Sequence, residues 1–311
     1  MNILIIGFGN MGCRHAQSFL HDTNYQVSVI EPNDIVFNTN LTKIGGTKDS
    51  IKRITFAECQ KGVFDFAVIA TSADVRYSLF EKLLNIGIKT ILLEKVVFQS
   101  PSQFNDALNL VNTQNTSVYC NFINRYSNSY SEIKNLISGP IDFTVTGGHF
   151  GFACNALHYI DLFKYFVEND IKLIMSNLKK SDKPNVRGEK FVEVFGQQIW
   201  ATPKGDRLFI SSDPDNNAGK GCEIQIRFNG KTFIINENTS NQINIFTNGK
   251  IDSNKFDLPM SSKLTNSIFE DIKSGAIKLP NLKETMSYHI EFFESINKCL
   301  GLLNNDCCPI T

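Results

Sequence analysis

The sequence has no excess of charge of either sign and no long apolar run. Its 31 basic and 31 acidic side chains cancel, so no overall field attracts nucleic acid or an anionic membrane surface. No apolar run approaches the roughly 18 residues that a membrane-spanning helix needs. We therefore expect neither nucleic acid nor a membrane among the partners of this protein.

Cysteine pairs at metal-binding spacing are also missing. The eight cysteines are scattered, and the only close pair, Cys307–Cys308, is not a C-x-x-C motif. A disulfide framework of the secreted kind would need an export signal. The opening apolar run, residues 3–6, is too short for one, and no cationic segment precedes it. We expect reduced, mostly buried cysteines in a cytoplasmic protein.

Short aliphatic runs alternate with helical patterns through the first 120 residues. The runs are "NILIIG", "YQVSVIE", "FDFAVIAT", "KTILLEKVV" and "TSVYCNF", and one of the helical patterns between them ends at Gly87. This alternation predicts a parallel sheet with right-handed crossovers. A chain of 311 residues is long enough for two domains. We therefore assign residues 1–121 to a doubly wound α/β domain of the Rossmann type.

The pattern changes at about residue 122. A helix is predicted over residues 155–167, and strand-like segments lie between residues 191 and 246. Within them, Asn229–Gly230 separates two extended runs, which is a strong hairpin signal. Residues 122–311 are thus predicted to form an α+β domain with an open, mainly antiparallel sheet.

Two further features complete the predicted second domain. The segment "SSDPDNNAGKG", residues 211–221, is the most loop-like part of the chain. After it, two helical stretches return, and the first closes at Gly275. We allow these C-terminal helices to pack back on the first domain.

The first strand leads into the motif G-x-G-x-x-G at Gly7, Gly9 and Gly12. Alone this motif is a weak signal, but here it follows a strand, opens a helix and precedes a second strand that ends in Glu31. Gly7 permits a tight turn, Gly9 lets the backbone approach a pyrophosphate, and Gly12 lets helix and strand pack closely. The helix N-terminus adds N–H groups and partial positive charge. The motif therefore predicts a dinucleotide site.

Glu31 decides which dinucleotide we expect. Its carboxylate accepts hydrogen bonds from ribose hydroxyls and repels a 2′-phosphate, and Pro32 and Asn33 offer no compensating cation. NAD is therefore favoured over NADP. Ligands of open α/β sheets lie beyond the carboxyl ends of the strands, which adds further residues to the site. The predicted cofactor contacts are Gly7, Phe8, Gly9, Asn10, Met11, Gly12, Glu31, Ala70, Thr71, Ser72, Glu94 and Lys95.

Glu94-Lys95 ends a strand that otherwise reads as fully apolar. A strand end at the surface would explain these charges, but the same sheet edge is predicted to hold the cofactor. At this point the sequence resembles the family of glucose–fructose oxidoreductase, inositol dehydrogenase and MocA-like (Gfo/Idh/MocA) oxidoreductases. The motifs "GFGNMG", "IATS", "EKV", "INRY" and "HYID" follow one another as in that family, and the tail resembles the C-terminal helices of its sugar-acting members.

The resemblance implies that Lys95 and His158 are the catalytic pair, without a metal. The chemistry agrees, because oxidising a secondary alcohol requires removal of its hydroxyl proton, which a histidine accepts at neutral pH. A lysine ammonium stabilises the developing alkoxide. Cys154, His158 and Asp161 share one face of a helix, where Asp161 either orients the imidazole or is a structural partner. A metal held there would need a fourth ligand that the sequence does not supply.

Three positions depart from the family's pattern. Val96 stands where proline usually follows the lysine, so the rigid turn that presents Lys95 is altered. Cys154 stands where many members carry an aspartate four residues before the histidine, and Asn155 follows it. Arg76 stands near the place of a histidine that often follows the "IATP" turn.

Recognition of a sugar needs several directional donors and acceptors. The predicted substrate contacts are Arg125, Tyr126, Asn155, Asp161 and His149. Arg125 matches the family's arginine, although a bridge between the two domains is an alternative role. An acidic sugar or a nucleotide sugar would need further cations, for which Arg187, Lys190 and Arg207 are candidates.

The sequence thus predicts an NAD-dependent oxidoreductase that interconverts a secondary alcohol and a ketone on a sugar, nucleotide sugar or acidic sugar derivative. Two alternatives stay open. One is a non-catalytic NAD-binding sensor or regulator, which the altered "EKV" and the missing aspartate favour. The other is a glycosidase that uses NAD transiently with no net redox change. The resemblance also implies a homodimer or homotetramer.

Overall fold

The structure is a computed structural model that describes residues 1–183, 185, 187–214, 221–236, 242–247 and 250–311. The chain divides into two compact units, one formed by Met1–Ile123 with Pro259–Glu284 and the other by Asn124–Leu258 with Thr285–Thr311. Residues 259–284 thus belong with the first unit, an arrangement that the sequence left open. The boundary between residues 121 and 122 stays a prediction.

Six short strands form the sheet of the first unit. They are β1 (Asn2–Ile6), β2 (Gln26–Ile30), β3 (Ile51–Arg53), β4 (Phe66–Ile69), β5 (Thr90–Leu93) and β6 (Ser117–Cys120). All pairs are parallel, in the order β3-β2-β1-β4-β5-β6. The strand order reverses between β1 and β4, so the crevice at their carboxyl ends is the expected ligand position of such a sheet.

Five helices belong wholly to the first unit. They are α1 (Asn10–Gln17), α2 (Asp34–Lys43), α3 (Ala73–Asn85), α4 (Pro101–Gln114) and α7 (Ser261–Ser274). Asn33 caps α2 by accepting hydrogen bonds from two backbone N–H groups, and Ser100 caps α4 with proline at its first position. Helix α7 ends at Gly275, whose φ of +77° is the left-handed conformation that glycine adopts without strain. It packs against α1.

The second unit is built on an eight-stranded sheet. Its strands are β7 (Asp142–Gly147), β8 (Lys172–Lys180), β9 (Val194–Ala201), β10 (Arg207–Ser212), β11 (Cys222–Phe228), β12 (Lys231–Asn236), β13 (Gln242–Thr247) and β14 (Lys250–Lys255). The order is β14-β13-β12-β11-β7-β10-β9-β8. All neighbouring pairs in this order are antiparallel except β7 and β10, which run parallel.

Three helices contribute to the second unit. They are α5 (Asn128–Leu136), α6 (Phe152–Val167) and, from Thr285 onward, α8 (Leu282–Leu300). Helix α6 packs against β9 and β10 and buries an almost continuous apolar surface that includes Leu157, Ile160 and Phe163. This burial fixes α6 along its length, and α6 is the helix that carries His158.

Most of the predicted elements are found in the structure. Helix α6 begins at Phe152 rather than residue 155, and the two residues of the predicted hairpin, Asn229 and Gly230, both have positive φ as a type I′ turn requires. The sequence reasoning missed β3, β7, β8 and β14. Of the loop-like segment 211–221, residues 211 and 212 end β10, whereas residues 215–220 lie outside the described residues.

Two further expectations concerned membrane-spanning helices and the state of the cysteines. None of the described helices combines the length and apolar character that crossing a bilayer requires. All eight cysteines lie within the described residues and are free thiols, and five of them are buried.

Candidate functional site

The glycine loop of the first unit has two positions that only glycine can occupy. Gly7 has a φ of +82°, and a Cβ there would lie 2.8 Å from the Cγ2 of Thr71. A Cβ on Gly12 would lie 1.9 Å from the carbonyl oxygen of Gly7, closer than two atoms can approach without a bond. The turn from β1 into α1 therefore depends on both glycines, as predicted from the motif.

Gly9 has a different reason to be glycine. A Cβ at this position would have no atom of the described residues within 4 Å. The backbone at the start of α1 therefore borders open space. Gly9 is the N-cap residue of α1. Because glycine has no side chain, it forms no capping hydrogen bond with the first N–H groups of the helix. A helix N-terminus of this kind is suited to bind an anionic group such as a diphosphate.

The other predicted contacts of this loop differ in exposure. Phe8 is buried with its ring against Phe37, and its backbone is also engaged, because its N–H donates to Glu31 at 2.9 Å and its carbonyl accepts from the Asn40 side chain at 2.8 Å. Asn10 and Met11 are exposed at the first turn of α1, and the Asn10 side-chain oxygen accepts a hydrogen bond from Lys43 at 3.0 Å.

Glu31 lies directly after β2 and faces the glycine loop. One carboxylate oxygen accepts a hydrogen bond from the backbone N–H of Phe8 at 2.9 Å, and the other accepts one from Asn33 N–H at 3.0 Å. Each oxygen keeps a second lone pair, so the carboxylate can still accept hydrogen bonds from a ribose. Glu31 thus connects the end of β2 to the loop in front of α1.

Sequence reasoning missed a cation beside Glu31. Arg53, at the end of β3, donates hydrogen bonds to the carbonyl oxygens of Glu31 at 2.7 Å and Pro32 at 2.9 Å. Pro32 and Asn33 supply no cation, as predicted, but Arg53 brings one to the same turn in the folded chain. However, Arg53 also forms an ion pair with Asp34, whose side chain is 80% exposed. The ion pair offsets the charge of the guanidinium.

The loop after β4 lies against the glycine loop. The Cβ of Ala70 is 3.5 Å from the position that a Cβ on Gly12 would take, and Thr71 adjoins Gly7. Ser72 is the N-cap residue of α3. The structure therefore brings Ala70, Thr71 and Ser72 to the predicted edge of the sheet.

Glu94 follows β5 and lies in a buried polar network. Its carboxylate accepts hydrogen bonds from His15 Nε2 at 2.9 Å and from the Asn121 side-chain amide at 2.7 Å. Burial by itself raises the pKa of this carboxyl. The hydrogen bonds from His15 and Asn121 and the charges of His15 and Arg76 outweigh burial and lower the pKa to about 2. Glu94 is therefore a permanent anion near neutral pH.

His15 connects Glu94 to α7. Its Nε2 lies 2.9 Å from a Glu94 carboxylate oxygen, and its Nδ1 lies 2.9 Å from the hydroxyl of Thr265 on α7. The same hydroxyl is 2.8 Å from the Ser261 carbonyl. These contacts tie together α1, α7 and the end of β5.

Lys95 stands next to this network. The residue is 8% exposed, and its peptide bond to Val96 is cis. The carbonyl groups of Glu94 and Val96, one residue to each side, both accept hydrogen bonds from Arg76. The backbone on both sides of Lys95 is thus bound by the Arg76 guanidinium.

The second unit presents its predicted residues on and around α6. His158 is half-buried, one turn after Cys154, which is buried. Asn155 donates a hydrogen bond from its side-chain amide to the carbonyl of Phe150, in the loop before the helix. The firm packing of α6 gives His158 a defined position within this unit.

Asp161 is fully buried and forms an ion pair with Arg125. The guanidinium donates two hydrogen bonds to the carboxylate, at 2.9 and 2.7 Å, and the Tyr288 hydroxyl donates a third at 2.8 Å. These contacts hold the Asp161 carboxylate in place, and both roles considered for it stay predictions. Arg125, in the short 3-10 helix Ile123–Tyr126, is held in turn, and Tyr126 ends that helix half-buried.

His149 lies in the loop between β7 and α6. It is exposed, with its ring edge-to-face against Phe195 at 5.3 Å. It lines a cavity of about 370 Å³ together with Asn155, Cys154, Lys183 and Arg187. A carboxylate, Glu193, lines the same cavity and accepts a hydrogen bond from Ala153 N–H at 2.8 Å, near the start of α6.

The predicted residues fall into two groups. The first unit brings together the glycine loop, Glu31, the loop after β4, Glu94 and Lys95, whereas the second holds His149, Asn155, His158, Asp161 and Arg125. The joint action of Lys95 and His158 stays a prediction. Within the residues that the structure describes, no three histidine, cysteine or acidic side chains cluster in a way that could hold a metal ion.

Several solved structures share this fold. A dehydrogenase (MviM) from Clostridium difficile matches with a TM-score of 0.75 and 16% identity, over 96% of this chain and 99% of its own. An oxidoreductase from Agrobacterium radiobacter, in complex with NAD+, L-tartaric acid and magnesium, gives 0.73 and 11%, over 96% of each chain. UDP-N-acetylglucosamine 3-dehydrogenase GnnA from Acidithiobacillus ferrooxidans gives 0.68 and 11%, over 96% of this chain and 99% of its own.

These likenesses establish the fold alone. No protein-family model and no curated protein matches the sequence. The predicted fold class, a Rossmann-type α/β part with a second part built on a mainly antiparallel sheet, is confirmed. Membership of the Gfo/Idh/MocA family and the roles of the site residues stay predictions.

Proposed function

We propose that this protein is an NAD-dependent oxidoreductase that interconverts a secondary alcohol and a ketone on a sugar, a nucleotide sugar or an acidic sugar derivative. The observation that carries the proposal is the contrast within the glycine loop. Gly7 and Gly12 have no room for a side chain, whereas Gly9 borders open space at an N-terminus without a side-chain cap. A backbone cradle of this kind is suited to a dinucleotide diphosphate.

The residues around the cradle fit a nicotinamide dinucleotide. The N-terminus of α1 would hold the diphosphate, Glu31 the adenosine ribose, and the segments 70–72 and 94–95 the nicotinamide half. When bound, the nicotinamide ring supplies the site that accepts or gives up a hydride. The Agrobacterium radiobacter structure with NAD+ supports this choice of cofactor by its fold.

Three side chains have roles in the proposed reaction. In the oxidation direction, the alcohol carbon loses a hydride and its hydroxyl loses a proton, and a carbonyl forms. His158 takes the proton on its imidazole, and the Lys95 ammonium stabilises the negative charge that develops on oxygen. Arg125, fixed by Asp161, is a directional donor for a substrate hydroxyl or carboxylate.

NAD is the preferred dinucleotide in this proposal. The Glu31 carboxylate repels a 2′-phosphate, and Asp34 adds a second negative charge in the same turn. Arg53 offsets part of this charge, so the preference rests on two carboxylates against one guanidinium. We expect weaker binding of NADP than of NAD, with a smaller difference in Glu31→Ala, measured by calorimetric titration.

The cavity beside α6 supports a polar substrate. It is lined by Asn155 and His149, which can form hydrogen bonds in either direction, and by the cations Lys183 and Arg187. Such a lining suits hydroxyl groups and a carboxylate or phosphate. The fold neighbour that acts on UDP-N-acetylglucosamine makes a nucleotide sugar a reasonable first substrate to test.

Turnover with a set of sugars, uronic acids and nucleotide sugars tests the proposal. The protein is incubated with NAD+ and each compound, and NADH is followed by its absorbance. We expect substrate-dependent NADH formation that falls at least about 100-fold in Lys95→Met and His158→Asn, as expected when a charge-stabilising or acid–base group is lost. Matched controls are Lys52→Met and His21→Asn, which change exposed residues of the same types.

The other outcomes identify the alternatives. Cleavage of a glycoside at constant NADH would replace the proposal with the NAD-using glycosidase. Binding of NAD without turnover of any compound would replace it with a sensor or regulator. Absence of NAD binding would contradict all three functions.

A further inference from the structure

Arg76 is a charged residue in the interior of the first unit with an unusual set of contacts. It lies on α3, is 1% exposed, and is among the largest fully buried side chains. Its guanidinium donates a hydrogen bond to the Glu94 carbonyl at 2.6 Å and others to the carbonyls of Val96 and Thr71. A longer hydrogen bond, at 3.5 Å, goes to the Val97 carbonyl. All four acceptors lie in the segments that follow β4 and β5.

A buried guanidinium needs this degree of compensation. Transfer of a charged group into the protein interior is strongly unfavourable unless hydrogen bonds and opposite charge replace its hydration. Arg76 gains backbone carbonyls as acceptors and lies close enough to the Glu94 carboxylate to influence it electrostatically. The side chain is therefore held in one place.

Two of the acceptors in the segment after β5, the carbonyls of Glu94 and Val96, lie on either side of Lys95 in the chain. The Glu94 carbonyl belongs to the peptide group before Lys95, and the Val96 carbonyl to the second peptide group after it. The rigid, planar guanidinium of Arg76 binds both carbonyls, so it restricts rotation about the backbone bonds of Lys95. Residues 91–100 are buried without interruption, so the segment has no solvent-facing freedom either.

The residue after Lys95 explains why such a restraint is needed. A proline after the lysine would fix its own φ, but this chain has Val96, which leaves the backbone freer. Arg76 restrains the same turn through hydrogen bonds. Two of the three departures from the family pattern, Val96 and Arg76, thus meet in one contact.

We propose that Arg76 is a positioning residue that fixes the backbone on both sides of Lys95 and so aims its ammonium. The proposal rests on the proposed function for the role of Lys95, and on the hydrogen bonds alone for the restraint itself. Arg76 itself is not assigned a contact with the substrate or the cofactor.

Two measurements on Arg76→Met, Arg76→Lys and Leu83→Ala test it. Leu83 is fully buried on the same helix, nearly two turns away, so its truncation provides a control for loss of stability without loss of the hydrogen bonds. The first measurement is kcat and KM with the substrate found by the turnover screen, alongside Tm and the Kd of NAD. The second is amide hydrogen exchange of the full chain followed by mass spectrometry, which needs no substrate.

In Arg76→Met we expect kcat to fall on the order of 100-fold, since a small misplacement of a catalytic group has effects of this size. KM and the Kd of NAD should change less than about threefold, and Arg76→Lys, which keeps a charge and fewer directional donors, should lie in between. Leu83→Ala should lower Tm with kcat unchanged. Hydrogen exchange in Arg76→Met should accelerate in residues 94–98 beyond the rest of the first unit.

Two results would overturn the proposal. One is a fall in kcat no larger than that of Leu83→Ala at equal loss of Tm. The other is exchange that accelerates uniformly, or not at all, in residues 94–98 of Arg76→Met. If the wild-type protein turns over no substrate, the proposed function fails, and the exchange measurement still decides whether Arg76 restrains the segment.

Discussion

Each unit buries one carboxylate close to a proposed catalytic residue, and the two units compensate it differently. Glu94, next to Lys95, pairs with the imidazole of His15 and accepts a hydrogen bond from Asn121. Asp161, one turn after His158, pairs with the guanidinium of Arg125 through two hydrogen bonds. The Glu94 carboxylate is thus bound by an imidazole and a neutral amide, whereas the Asp161 carboxylate is bound by a guanidinium and a hydroxyl.

The difference shows how each unit responds to its surroundings. A guanidinium keeps its charge at every pH at which a protein is folded, so the Asp161 pair depends on geometry alone. The pKa of Glu94 is lowered to about 2 in the folded chain, so the contribution of the Glu94 pair to stability depends on acid pH as well as on geometry. The four predictions below test this contrast, from the largest expected effect to the smallest.

Removal of the permanent cation should have the largest effect. Arg125→Met leaves the fully buried Asp161 carboxylate without a cation, so we expect a loss of about 3–5 kcal/mol in the free energy of unfolding. Urea unfolding followed by circular dichroism measures it. Arg207→Met, which changes an exposed arginine of the same unit, should stay within about 0.5 kcal/mol of the wild type. Equal losses in the two variants would contradict the importance of the Asp161 pair.

The Glu94 pair should make stability depend on acid pH. Its pKa is lowered from 4.5 to about 2 in the folded chain, so the folded state gains stability above the ordinary pKa and loses it as the pH falls from about 4.5 towards 2. The full span corresponds to a few kcal/mol, on the order of 3 by linkage. Glu94→Gln should flatten the pH dependence of the free energy of unfolding over that range.

A control distinguishes this effect from general acid denaturation. Asp49→Asn removes an exposed carboxylate of the same unit and should leave the pH dependence close to that of the wild type. If Glu94→Gln instead keeps the wild-type dependence of the free energy of unfolding on pH between pH 4.5 and 2, the hydrogen bonds and charges around Glu94 do not lower its pKa in the folded chain.

The hydroxyl that completes the Asp161 pair should have a smaller effect. Tyr288→Phe removes the hydrogen bond to the carboxylate at 2.8 Å, and we expect a loss of about 2 kcal/mol, the size of a hydrogen bond to a charged group. In an Asp161→Asn background the same change should cost less, because the acceptor is then neutral. Additive losses in the double variant, measured by urea unfolding, would argue against a shared network.

The hydroxyl that forms a hydrogen bond with His15 should have the smallest effect. Thr265→Val removes this hydrogen bond to Nδ1 at 2.9 Å, and we expect a loss of roughly 1 kcal/mol in the free energy of unfolding. Thr265→Ser keeps the hydroxyl and should retain most of the stability at neutral pH. A serine variant as unstable as the valine variant would assign the effect to packing of the lost methyl group instead.

The glycine loop was the most predictable part of the molecule. The reason for Gly7 and Gly12 is local, because a side chain would collide with atoms of the adjoining turn, and the motif records this requirement at fixed spacing. Glu31 was also predictable, because the motif expects an acidic residue at the end of the second strand and Glu31 directly follows β2. The end of α7 at Gly275 was also a local signal.

The charges that compensate Glu94 and Glu31 were not predictable from one sequence. His15 and Glu94 are 79 residues apart, and Arg53 is 22 residues from Glu31. Such partners meet only because parallel strands bring distant segments to one sheet edge. In the sequence, Arg76 was noted only as a departure from the family's pattern, and its four carbonyl acceptors emerge only from the fold.

Some strands were missed because their sequences carry little alternation. Strand β8 is exposed or half-exposed along both faces, and β14, "KIDSNK", is exposed throughout. Both lie at edges of the second sheet, where one row of backbone groups has no neighbouring strand and burial does not select apolar residues. In contrast, β7 does alternate, with Phe143 and Val145 buried, and was recoverable from its sequence.

The hydrogen bond from Phe8 N–H to Glu31 has a consequence for anyone redesigning this protein to use a phosphorylated dinucleotide. Removing the Glu31 carboxylate would remove its repulsion of a 2′-phosphate. It would also remove the hydrogen bond that holds the turn in front of α1. A successful redesign therefore keeps an acceptor at position 31, as Gln would, and obtains its positive charge elsewhere, for example by freeing Arg53 through a change at Asp34.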